Sequence, residues 1–92
     1  MAILGAEQIQ RILMGLPNWD LMDGELRSSF TFGDFREAMS FVNSVALLAE
    51  RAGHHPDIDI RYNSVRLALT THEAGGITAK DTGLAAEING IM

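Results

Sequence analysis

Apolar residues recur with helical spacing at the start of the chain: Ile9, Ile12, Leu13 and Leu16 fall at i, i+3, i+4 and i+7. Pro17 ends the run, which predicts a first helix over residues 6–16. The period then changes. Residues 18–22 and 25–32 flank Asp23-Gly24, a pair suited to a type I′ turn because both of its central positions need positive φ. A turn that tight sets Leu21 against Leu26 and Trp19 against Ser28, with Phe30 and Phe32 continuing the apolar face and Asp20 facing Arg27 on the other. Asp34 and Glu37 form an acidic capping box that opens the longest periodic stretch, and Gly53 stands just beyond Ala52 as the left-handed residue that closes it.

The apolar residues of that long helix, from Phe35 to Ala52, cover about half its circumference, more than the ~100° stripe one core face requires. Two arrangements suit the surplus around Phe41 and Leu48: a helix embedded deeply in its own core, or one packed on the same helix of another subunit. After Pro56, Ile58, Ile60 and Tyr62 alternate, as do Val65, Leu67 and Leu69, and Asn63-Ser64 serves as a turn between two strands. That turn sets Tyr62 opposite Val65 and Ile60 opposite Leu67, and at the far end His55 opposite His72. Tyr62 and Trp19 are expected to pack. Gly75-Gly76 marks a loop, and Thr78 with Asp81 caps a last helix carrying Leu84, Ala85, Ile88 and Ile91. The predicted element order is α-β-β-α-β-β-α, in a single domain over residues 1–92.

Composition narrows the possible functions. The chain has 92 residues, 47% of them hydrophobic, and domains this small are often marginal alone, so self-association is expected. It contains no cysteine, which removes disulfides and thiolate metal sites and fits a cytoplasmic location. The formal net charge is −5 and the basic residues are scattered, so direct nucleic-acid binding is not expected. The first residues lack the basic and apolar regions of an export signal, and no stretch offers about 18 uninterrupted apolar residues, so the chain reads as soluble, without membrane contact.

Chemistry concentrates at the end of the long helix. Histidine, with an ordinary pKa of about 6.5, can donate or accept a proton near neutrality. The strand register brings His54, His55 and His72, all three histidines of the chain, to one end of the second hairpin. Pro56 holds His55 extended. Two readings fit a histidine cluster, a metal site and paired proton transfer. Adjacent residues in extended chain point to opposite faces, and neither H-x-H nor H-x-x-x-H spacing occurs, so proton transfer suits the pattern better. Glu50, an acidic residue in the last helical turn, suits either a partner for a histidine or an ordinary solvated position. Asp81 is accounted for by its cap.

The spacing of these residues resembles the pterin-4a-carbinolamine dehydratases: Glu50, three residues, His54-His55-Pro56, five residues, Tyr62, nine residues, His72, eight residues, Asp81. Leu16-Pro17 with Trp19, Phe30-x-Phe32-x-Asp34-Phe35, Val45-Ala46 with Ala49-Glu50, and Gly76-x-Thr78-x-x-Asp81 extend the similarity over nearly the whole chain. Two positions depart from it: Ile58 stands where an aromatic is frequent, and Thr70 where some members have serine.

The resemblance implies an α+β fold, a four-stranded antiparallel sheet with three helices packed on one face, assembled as a homodimer or homotetramer. It implies a hydro-lyase that dehydrates 4a-hydroxytetrahydropterin to quinonoid dihydropterin, recycling the tetrahydrobiopterin-type cofactor of aromatic amino-acid hydroxylation, with neither metal nor organic cofactor. His54 and His72 become the acid and base, and His55 binds and orients the pterin. Gly53, Thr70, Thr71 and Glu73 line the substrate, and Glu50, Pro56 and Asp81 support the histidines. An animal branch of the family also acts as a dimerisation cofactor for a homeodomain transcription factor, so a protein-interaction module is the alternative function.

Overall fold

The computed structural model describes residues 2–92 and places seven elements in the predicted order: α1 (Ala6–Leu13), β1 (Asp20–Met22), β2 (Glu25–Thr31), α2 (Phe35–Ala52), β3 (Asp57–Arg61), β4 (Ser64–Leu69) and α3 (Ala79–Gly90). The strands form one antiparallel sheet in the order β1-β2-β4-β3. Burial alternates along β2 and β4, as expected when one face is packed and the other open. Leu26, Phe30, Val65, Leu67 and Leu69 point into a core completed by Ile9 of α1, Val45 and Ala49 of α2, and Leu84 and Ile88 of α3. Arg27, Ser29, Arg66 and Asp59 belong to the opposite face. No helix among the described residues is long and apolar enough to cross a membrane.

The first hairpin has the register set by Asp23-Gly24, with Asp20 against Arg27 and Leu21 against Leu26. Both turn residues take positive φ, 53° at Asp23 and 77° at Gly24. Helix α1 stops at Leu13, short of the expected residue 16, but Leu16 and Trp19 are still buried. The Asp34 side chain caps α2 by accepting from the Glu37 amide, while the Glu37 carboxylate reaches Gly33 N–H, one residue before the capping-box position.

The second hairpin differs from the expectation. Its turn is Tyr62-Asn63, with Tyr62 at φ 52°, so Ile60 pairs with Val65 and Ile58 with Leu67. Asn63 is held in place by the end of β2: its side chain donates to Phe32 O at 2.8 Å and its carbonyl accepts from Phe32 N–H at 2.9 Å. Both registers put the same residues on the core face, because a slip by two changes no side chain's face, and hydrophobic alternation therefore does not distinguish them. Two residues beyond the Asp57–Ala68 pair, the count sets His55 against Thr70 instead of His72. Tyr62, expected to pack, is 65% exposed at the turn.

The surplus of α2 also resolves. Phe41 is buried between Phe30 and Phe32, with ring centroids 4.7 and 5.0 Å away, and Leu48 packs partly against the core. The large apolar side chains of α2 left in solvent are Phe35 and Leu47.

Candidate functional site

The end of α2 positions the first histidine through its backbone. Gly53 adopts φ 64° and ψ 29°, and His54 N–H closes back on Ala49 O at 3.1 Å, the reverse turn that ends many helices. The His54 side chain, 8% exposed, enters the interior and hydrogen-bonds through Nε2 to Asp81 Oδ1 at 2.5 Å. The carboxylate stands in the first turn of α3, where the helix dipole favours a negative charge. Its other oxygen, Oδ2, accepts the Thr71 hydroxyl at 2.7 Å and Thr78 N–H at 2.9 Å. The Thr71 and Thr78 hydroxyls are 2.8 Å apart. Thr71, Thr78 and Asp81 are all wholly buried, and no buried side-chain polar atom among the described residues lacks a partner.

His55 has opposite surroundings. Its side chain is exposed, and its Nε2 meets Glu50 Oε2 at 2.5 Å. Glu50 combines the two roles open to it, since it meets His55 and is itself largely in solvent. His72 is exposed in the turn that begins at Thr71 and closes by the Thr71–Gly76 bridge. It is tied to His54 through the network, since its neighbour Thr71 grips the carboxylate that holds His54. The contact between the sites of His54 and His72 thus runs through Asp81 and Thr71, and the strand register has no part in it.

The other expected residues divide between lining and support. Gly53 and Glu73 are exposed, Pro56 is half-buried, and Thr70 is half-buried with its hydroxyl donating weakly to Gly24 O at 3.3 Å. Thr71 has its hydroxyl committed to Asp81, so its side chain is not free to meet a substrate. Thr78 is the member that sequence reasoning treated only as a helix cap. No sequence signal marked it, because the approach of buried Thr71 to the capping acid arises only in the fold. Among the described residues no group of three or more His, Cys, Asp or Glu is placed to hold a metal ion. A shallow groove of about 520 Å³ on the open sheet face is lined by residues including Asp20, Arg27, Asp59 and Arg66 and by none of the histidines.

This arrangement offers one buried imidazole on a fixed carboxylate and two exposed imidazoles, one next to it in sequence and one next to Thr71, a set suited to proton transfer at the surface of a small ligand. Similarity to known proteins identifies the family. The family model described as pterin 4 alpha carbinolamine dehydratase matches residues 2–91. The chain is 54% identical over 92 residues to a protein of Chloroflexus aurantiacus, covering 100% of this chain and 99% of the relative. It is also 54% identical to one of Acidobacterium capsulatum, covering 100% of both. Both relatives carry a provisional assignment as pterin-4-alpha-carbinolamine dehydratases. A crystal structure titled transcriptional coactivator/pterin dehydratase, from Brucella melitensis, superposes with a TM-score of 0.93 at 34% identity over 98% of each chain. A pterin dehydratase-like RuBisCO assembly factor of the α-carboxysome shares the fold, with a TM-score of 0.64 at 23% identity over 79% of this chain. The chain belongs to the pterin-4-alpha-carbinolamine dehydratase family.

Proposed function

We propose that the protein dehydrates a 4a-hydroxytetrahydropterin to the quinonoid dihydropterin and water, by proton transfer between the substrate and His54 and His72. The reaction breaks the C4a–O bond. The leaving oxygen takes a proton and departs as water, N5 supplies the electron pair, and the N5 proton is removed. One histidine gives the first proton and another takes the second, so neither a metal nor an organic cofactor enters. His55, exposed and held by Glu50, orients the pterin, with Gly53, Thr70 and Glu73 beside it.

The observation that carries this reading is the His54–Asp81 pair, buried at the foot of the turn that presents His72. The test is turnover of chemically generated 4a-hydroxytetrahydropterin. Wild type should accelerate it, with a bell-shaped pH profile of kcat/KM, and His54→Ala and His72→Ala should each lower kcat by roughly 10²- to 10⁴-fold. No acceleration by wild type refutes the proposal.

Assembly and a role in binding other proteins belong to the same reading. The exposed Leu47 and Phe35 on α2, with β1 and β3 as free sheet edges, suit a homodimer or homotetramer in the cytoplasm. A pure interaction module would retain self-association or partner binding and show no pterin turnover.

A further inference from the structure

The buried network around Asp81 has a direction. An ionised Asp81 has no proton to give, so the Thr71 hydroxyl donates to Oδ2, as the Thr78 amide does. The Thr71 oxygen is then left to accept, and the Thr78 hydroxyl donates to it. Thr78 Oγ1 in turn accepts from Lys80 N–H at 3.3 Å, which closes the chain of donors without conflict. Oδ2 is thereby committed to two donors, the Thr71 hydroxyl and the Thr78 amide, and Oδ1 is left to face His54 Nε2. An acceptor opposite Nε2 requires a proton on Nε2, and the hydrogen bond made by one ring nitrogen decides the state of the other. His54 Nδ1 has no partner among the described residues, and because no buried side-chain polar atom among them lacks one, it reaches the surface.

We propose that Thr71 and the Thr78 amide lock the Asp81 carboxylate as acceptor for His54 Nε2–H, so that His54 exchanges protons with its ligand through Nδ1 alone. Thr71 is thus a positioning residue, one step removed from the histidine it governs. The chemical consequence rests on the dehydratase reading, but the tautomer does not.

The discriminating variant is Asp81→Asn. The Thr78 N–H can only donate and requires an acceptor on its side, so the new amide must turn its oxygen to it and its NH₂ to His54 Nε2. The imidazole then has to carry its proton on Nδ1. Two-bond ¹H–¹⁵N correlation spectra of ¹⁵N-histidine-labelled protein, taken with the imidazoles neutral, read this directly. The expected result is a single Nε2–H tautomer of His54 in wild type and the Nδ1–H tautomer in Asp81→Asn. A wild-type His54 protonated on Nδ1, or an Asp81→Asn protein that keeps Nε2–H, overturns the proposal. Should Asp81→Asn fail to fold, the wild-type spectrum still decides, together with a near-isosteric pair: Thr71→Val should lower kcat about tenfold or more with KM little changed, while Thr71→Ser stays within about threefold of wild type. Equal kcat for Thr71→Val and wild type also overturns it. If no form of the protein turns over pterin, the spectra still judge the lock, and only the assignment of its substrate falls.

Discussion

His54 and His55 are neighbours in sequence and opposites in surroundings. One is buried on a carboxylate that is itself gripped by two donors; the other lies in solvent beside Glu50, with side-chain exposures of 63% and 75%. An exposed ion pair of this kind contributes only about 0–1 kcal/mol, screened by water and opposed by side-chain entropy. Glu50→Ala should therefore leave the urea midpoint almost unchanged while raising KM for the pterin, since it frees His55 to rotate. A large loss of stability would contradict that view. At this scale the histidines stand out in the sequence by their register and spacing, while a role for Asp81 beyond its helix cap comes only from the family resemblance, and Glu50 is open between histidine partner and solvated residue. The division into buried and exposed imidazole is not legible there, because it depends on Asp81 reaching His54 across 27 positions of sequence, a distance no local pattern spans.

Local chemistry fixed the elements wherever a turn left one geometry open. Asp23-Gly24 determined the first hairpin, and Gly53 the end of α2. Gly53 holds a left-handed conformation at φ 64°, and a Cβ added there would meet nothing within 4 Å. Gly53→Ala therefore carries backbone strain alone, about 1–2 kcal/mol. Urea unfolding should show a lower midpoint at unchanged slope. A neutral result would mean that the end of α2 relaxes, which a displaced His54 resonance would reveal. The second hairpin was misread because its true turn needs Tyr62 at positive φ, which bulky residues rarely adopt, and because both registers satisfy the same apolar alternation. The anchoring of Asn63 to Phe32 supplies the missing information, and it is a long-range contact.

The molecule as a whole buries its helices on one face of the sheet and leaves β1 and β3 at the edges, with Leu47 73% exposed on the outer side of α2. Phe41, a residue whose spacing also suggested an intersubunit role, turns out to belong to the core, so charge placed there would disrupt the fold and reveal nothing about assembly. Leu47 is the better probe. Light scattering of wild type should give a multiple of the 10.0 kDa chain mass, and Leu47→Glu should shift it downward at a given concentration. A change of stability beyond about 0.5 kcal/mol is not expected from so exposed a site. A constant 10.0 kDa for wild type across concentrations would exclude assembly.

Thr78 both opens α3 and, through its amide, holds Oδ2 of the carboxylate whose other oxygen, Oδ1, meets His54. Fraying of one helical turn and loss of the site are consequently the same event. Hydrogen–deuterium exchange at the Thr78 amide should quicken as the fraction of molecules with an intact site falls, so a single backbone proton becomes a clock for the readiness of the site.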